Sequence, residues 1–339
     1  MLRKFTRATK RFLRFPFPHQ RKNPYGASTA IGDQSIYSQD AAPNYDKLRV
    51  VDAAGLSSSS DTDNYTLQSC LCTRSQLESP AFRTWTARMH EPWHLHRKLW
   101  EFCYIAQTLY ERGLLSAGRR GLGFAVGEEP LPSLFASLGC EIIASDLAAD
   151  DDRSQVWANT NQLATCLDHL NNRGICEQEQ FRRNVRFRPV DMNQIPEDLT
   201  DFDFTWSSCS FEHCGSIELG KRFLREQLKC LKPGGIAVHT TEFNLTSCEK
   251  TIEEGTTVFF RRKDIEAIFC DLQAEGHTVE LLQLDTGNTP EDEHVDIFPY
   301  SSNPHLKLLD SQDRFVTTSI GLIIRKAGVA NASAISGAA

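Results

Sequence analysis

From residue 95 onward, apolar positions recur in two alternating rhythms. Leu95, Leu99, Phe102, Ile105, Ala106 and Leu109 keep helical spacing. RGLGFAV (120–126) then reads as a buried strand. EPLPSLFASLG follows as a helix, with Pro130 in its first turn, one apolar face of Leu131, Leu134, Phe135 and Leu138, and Gly139 as its stop. CEIIASD (140–146) predicts a second strand, residues 154–172 a helix, VRFRPVD (185–191) a third strand and FDFTWSS (202–208) a fourth. A helix over 217–231 ends at Pro233-Gly234-Gly235, before a fifth strand, IAVHTTEF (236–243). A helix from Arg262, a sixth strand over HTVELLQL (277–284), a polar connection and a last strand over 315–326 complete the series. Strands alternating with helices at this spacing predict a parallel sheet with helices on both faces.

The flanks differ in kind. Residues 1–22 carry eight Lys/Arg and no acid, which leaves 29 basic and 44 acidic residues in the rest. That acidic body argues against a nucleic-acid partner, which needs a phosphate-neutralising face. The arm interleaves Phe5, Phe12, Leu13, Phe15 and Phe17 with its charges, so weak contact with an anionic membrane surface competes with a solvated tail. Residues 23–80 include SSSSDTDN (57–64) and lack apolar runs. Residues 1–80 are therefore expected to be mostly disordered, the ordered domain to span 81–327, and 328–339 to fray. Eleven scattered cysteines with one close pair, Cys70 and Cys72, suit reduced cytoplasmic thiols better than a disulfide or zinc framework.

In a doubly wound sheet, ligands sit beyond the carboxyl ends of the strands, near the first strand-to-helix turn. GLGFAVGEEPLP (121–132) is that turn, and Gly127 lets a ligand approach the backbone. It can equally be a tight turn with no ligand. Asp146 closes the second strand 19 residues later, where a carboxylate can accept from both hydroxyls of a ribose; Leu147 follows it. Asp191 and Met192 close the third strand, where an acceptor and an apolar cover suit a base. Each has a bland alternative as a strand-end turn, but together they point to an adenosine site.

The order and spacing of FAVGEEP, IIASD, VDM, FDFTWSSCSFEH and LKPGG (231–235) resemble class I S-adenosylmethionine-dependent methyltransferases, especially the small-molecule group called type 11. The resemblance covers about 95–326. It implies a doubly wound, mostly parallel seven-stranded sheet, here with a helical N-terminal cap. It also implies S-adenosyl-L-methionine as cofactor, and methyl transfer to a small molecule or glycan precursor. The implied cofactor-binding residues are Gly123, Ala125, Gly127, Glu128, Glu129, Asp146, Leu147, Asp191, Met192, Ser207 and Ser208. Two departures stand out. The family has an acid where Gly123 stands, and its first loop glycine is Ala125 here. Glu128 or Glu129 would then take the cofactor's amino group, with Arg97 and Lys98 for its carboxylate.

A hydroxyl acceptor needs a base, and His213 follows the fourth strand, with Glu212 as a weaker candidate. A structural histidine is the alternative. O-methylation is favoured because a histidine is at hand and no NPPY-type motif occurs. Glu242 and Asn244 fall at the pocket rim, and Trp93, His94 and His96 are expected to form another wall. The connection 285–313, with His294, Asp296, Tyr300 and His305, suits a lid or substrate wall. His294 and Asp296 alone make no metal site, so none is expected. Two other classes remain in play. One is a non-catalytic cofactor- or partner-binding relative; the other is an NAD(P)-dependent oxidoreductase, against which stands the absence of a Tyr-x-x-x-Lys pair.

Overall fold

The structure, a computed structural model, describes residues 67–154, 163–164, 166–301, 303–312 and 314–328. The basic arm, the polar segment to residue 66, residues 155–162 and 165 of the helix expected over 154–172, and the tail from 329 lie outside the described residues.

Strand β1 (Ser69–Leu71) opens the fold. Helices α1 (Arg74–Glu78), α2 (Pro80–Arg88) and α3 (Arg97–Glu111) follow. Next come β2 (Arg120–Gly123), α4 (Leu131–Ser137) and β3 (Glu141–Asp146). Helix α5 (Gln178–Asn184) leads into β4 (Val185–Pro189) and β5 (Phe202–Ser208). Helix α6 (Ile217–Glu226), β6 (Leu231–Asn244) and α7 (Arg262–Ala274) follow. The chain closes with β7 (Thr278–Val279), β8 (Leu282–Gln283), α8 (Pro290–Glu293), β9 (Val295–Asp296), β10 (Lys307–Leu309) and β11 (Val316–Arg325). Short 3-10 turns cover Asp152–Ser154, Leu167–Asn171, Phe211–His213 and Gln227–Cys230. No described helix is long and apolar enough to cross a membrane.

The main path of the sheet runs β4-β3-β2-β5-β6-β11-β1-β8. From β4 to β6 every pair is parallel, and β11 lies antiparallel on β6. This is the Rossmann-like α/β arrangement expected. The strand count is not: eleven strands, rather than seven, join one sheet among the described residues. Buried residues divide into two layers. One joins α2, α3 and α4 to Phe204, Trp206 and Val238; the other joins α6 and α7 to Leu122, Phe243 and Leu322. Helices thus cover both faces, so the parallel strands are apolar on both sides.

Two expectations need correction. Order does not begin at Ala81: β1 pairs antiparallel with β11, Cys70 opposite Gly321. Nor is 277–284 one strand. Thr278 and Val279 pair with Arg325 and Ile324 at the end of β11; β1 then occupies that edge, and Leu282–Gln283 pairs with the far side of β1. The wedge depends on a close approach. Tyr104 of α3 packs where a Cβ on Gly321 would be, and its hydroxyl donates to the Gln68 carbonyl at 2.8 Å.

Candidate active site at the strand ends

The glycines of GLGFAVG have unlike roles. Gly121 and Gly123 face β5, and a Cβ on either would collide with the ring of Phe204 or Trp206 respectively. Gly123 is thus small because an indole fills the space beside it. That indole donates its Nε1–H to Glu129 Oε1 at 2.6 Å. Glu129 is buried, and burial pushes its carboxyl up to about 8 against the opposing hydrogen bond from Trp206. Glu128 faces elsewhere: its carboxylate lies 3.8 Å from His169, and its carbonyl accepts from Arg173 at 2.7 Å. Of the two glutamates, Glu129 reaches the ring that stands in for a Gly123 side chain.

The turn itself is held by Asp146. Its Oδ2 accepts from the Gly127 N–H at 2.9 Å and the Ala164 N–H at 3.1 Å, and its Oδ1 from the Leu147 N–H at 2.8 Å. Burial raises the carboxyl to about 6 despite those three donors. Gly127 has φ 52°, and Ala125 has φ 48°, unusual for a residue with a Cβ. Cys209, just past β5, has φ 46°. Two non-glycine residues in left-handed backbone therefore end neighbouring strands, as strained backbone does at functional sites. Asp191 is paired with Arg153 at 2.9 Å and accepts the Asn193 N–H; Met192 packs against the α6–α7 layer.

Helix α3 completes the site. Its Glu101, fully buried, accepts from Ser208 Oγ at 3.0 Å and Ser319 Oγ at 2.6 Å, and pairs with Lys98 Nζ at 2.6 Å. Burial alone would raise Glu101, but Lys98 and Arg97 hold it below its ordinary value. Arg97 pairs with Glu242 of β6. Both cations expected to hold the cofactor's carboxylate thus sit at the strand ends, each already beside a glutamate. Ser207 does not open on this cluster; fully buried, it pairs with His239 Nδ1 at 2.8 Å.

Glu212 and His213 follow β5 as expected. Glu212 is fully buried, accepts from Thr241 Oγ1 at 2.9 Å, and is raised to about 8 by burial and then by Glu242. His213 bonds through Nδ1 to the Thr256 carbonyl at 2.8 Å; burial lowers it to about 4 against that bond. Of the walls expected around His96, His96 itself caps α3, its Nδ1 accepting the Lys98 N–H at 3.0 Å. Asp296 pairs not with His294 but with His305, at 2.5 Å. All eleven cysteines are free, and among the described residues no group of three or more His, Cys, Asp or Glu could hold a metal. Sequence reasoning did not single out Glu101 or Trp206. Glu101 lies one turn after Arg97 on the apolar side of its helix, and a glutamate there is the one available signal.

Carboxylates at Asp146, Glu129, Glu101 and Glu242, with cations at 97 and 98, form a donor set whose chemistry fits a ligand carrying a diol, an ammonium, a sulfonium and a carboxylate. The sheet around this site is a Rossmann-like α/β arrangement. Residues 124–239, about a third of the chain, match the family model described as a methyltransferase domain. No curated protein matches the chain. Solved structures similar to it include an S-adenosylmethionine-dependent methyltransferase from Mesorhizobium loti, 13% identical, covering 63% of this chain and 95% of that one, TM-score 0.41. Another, from Clostridium acetobutylicum, is 12% identical over 73% and 92%, TM-score 0.38. The [4+2]-cyclase SpnF is 18% identical over 66% and 80%, TM-score 0.42.

Proposed function

We propose that this protein transfers a methyl group from S-adenosylmethionine to a hydroxyl of a small molecule or glycan precursor. The observation that carries the reading is the Gly123–Trp206–Glu129 arrangement. The acid missing from the first strand is matched by a buried carboxylate delivered from the adjoining turn. In this reading Glu129 takes the cofactor's ammonium, and Asp146 takes its ribose with the free capacity of its carboxylate. Asp191 and Met192 flank the base, and Lys98 and Arg97 face the carboxylate. The cofactor supplies an electrophilic methyl on a sulfonium. The protein's task is to align the acceptor oxygen with that methyl and to receive its proton. Of the groups expected to do the second, His213 and Glu212 stand beside the end of β5. A cytoplasmic setting and an acceptor free of nucleic acid belong to the same proposal.

The competing reading is a relative that binds without turnover. Arg97–Glu242 and Lys98–Glu101 favour it, because two of the site's acids are already neutralised internally.

The acids predict how binding responds to pH. Glu129 and Asp146 are protonated below about 8 and about 6 and must ionise to accept from a cation and a diol. Affinity for S-adenosylhomocysteine should therefore rise from pH 6 to 8.5, with protons released on binding. Calorimetry in buffers of unlike ionisation enthalpy reads that release. Glu129→Gln should weaken binding by about tenfold or more, the order of a charged hydrogen bond, and should flatten the pH dependence. Full affinity in that variant would remove Glu129 from the site.

A further inference from the structure

The connection between β8 and β11 brings two residues together that no periodicity links. His305 Nδ1 lies 2.5 Å from Asp296 Oδ2, and both side chains are buried. Asp296 is itself steadied by the Ser301 N–H at 3.0 Å and the Ser301 hydroxyl at 3.3 Å. The imidazole stacks on His96, with centroids 4.6 Å apart, and meets the edge of Tyr300 at 5.5 Å. The backbone of residue 305 is laced to the start of α3: its N–H donates to the Leu95 carbonyl at 2.7 Å, and its carbonyl accepts the Arg97 N–H at 3.0 Å. The same turn of α3 sends Arg97 to Glu242 and Lys98 to Glu101 and the Ser208 carbonyl. His305 is therefore fixed to the element that forms the wall of the site.

We propose that His305, oriented by Asp296, is the general base that takes the proton from a hydroxyl acceptor. The inference rests on the methyl-transfer reading and names its acceptor class as neutral O–H compounds. A carboxylate on Nδ1–H fixes the tautomer, leaves the Nε2 lone pair as proton acceptor, and stabilises the imidazolium that forms. His213 Nδ1 instead faces the Thr256 carbonyl at 2.8 Å and the Thr257 hydroxyl at 3.3 Å, which are neutral groups. The step balances. The acceptor oxygen bonds to the methyl carbon, the carbon–sulfur pair leaves on sulfur, and the hydroxyl proton goes to Nε2. Burial, and then Arg97, hold His305 below its ordinary value, and Asp296 and Glu242 oppose them by favouring its charged form. His96 and Tyr300 pack against the ring.

Carbethoxylation of the full chain by diethyl pyrocarbonate, followed by mass and site, tests the dyad without an acceptor. His305 should react roughly tenfold or more faster than fully buried His239, which must await local opening. Asp296→Asn should slow it about threefold to tenfold by lowering the basicity of the ring. The wild-type comparison stands even if that variant does not fold. A His305 as slow as His239, or one unaffected in folded Asp296→Asn, overturns the proposal. With any hydroxyl compound that the wild type methylates, His305→Gln should lower kcat by about 10²–10⁴ and leave KM near its wild-type value; an unchanged kcat overturns it too. Calorimetry of the same sample with S-adenosylhomocysteine separates the layers. Absence of binding contradicts the methyl-transfer reading, whereas binding with an unreactive His305 contradicts only the base.

Discussion

At the scale of single residues, the site trades one side chain for two. Gly123 makes room for Trp206, and Trp206 holds Glu129. Restoring an acid on the first strand should therefore fail. Gly123→Asp drives a side chain into the indole and should cost about 1–3 kcal/mol, as overpacked cores do. Urea unfolding checks it, and a variant as stable as the wild type would mean that Trp206 moves aside freely. Glu129 also carries a pH signature. Its carboxyl is raised in the fold, so between about 4.5 and about 8 the folded chain holds a proton that the unfolded chain has lost. Its contribution to stability then falls as pH rises through that window. Glu129→Gln, in the protein without ligand, should raise Tm above pH 8 by roughly 2–4 °C for each kcal/mol recovered, and change it little at pH 5. An equal effect at both pH values would contradict the buried, ligand-free acid. The places of Asp146 and Gly127 were legible, since a strand-end acid and a turn glycine sit at fixed positions in such sheets. The turn from Gly123 to Trp206 was not, because it depends on which residues face each other across β2 and β5.

At the scale of elements, FDFTWSS was legible to the residue as β5, because an apolar run closed by a small-residue turn leaves little choice. The Pro-Gly-Gly turn before β6 was legible for a similar reason, although pairing extends β6 back through the turn to Leu231. Strand β1 was not legible. Three residues carry no periodicity, and their place is set by Gly321 and Tyr104, over 200 residues apart. The same wedge broke the expected sixth strand, since β1 takes the edge of β11 that 281–284 would have used. Gly321→Ala tests the wedge. A methyl against the Tyr104 ring should destabilise the fold by about 1–3 kcal/mol, and Tyr104→Phe, which loses the bond to Gln68, by about 1 kcal/mol. A neutral Gly321→Ala in thermal unfolding would contradict the close packing. The Asp296–His305 pair belongs to this scale too: the pattern offered the residues of a wall, and the pairing came from β9 and β10 joining the sheet.

At the scale of the whole molecule, the acids and cations converge where the parallel strands end, with α3 on one side and the turns after β2 and β5 on the other. The helices on both faces are scaffold for that edge. The direct measurement is calorimetric titration of the full chain with S-adenosylhomocysteine, alongside NADH. Binding of S-adenosylhomocysteine that strengthens from pH 6 to 8.5, with no uptake of NADH, is the predicted result. Binding of NADH alone would contradict the account.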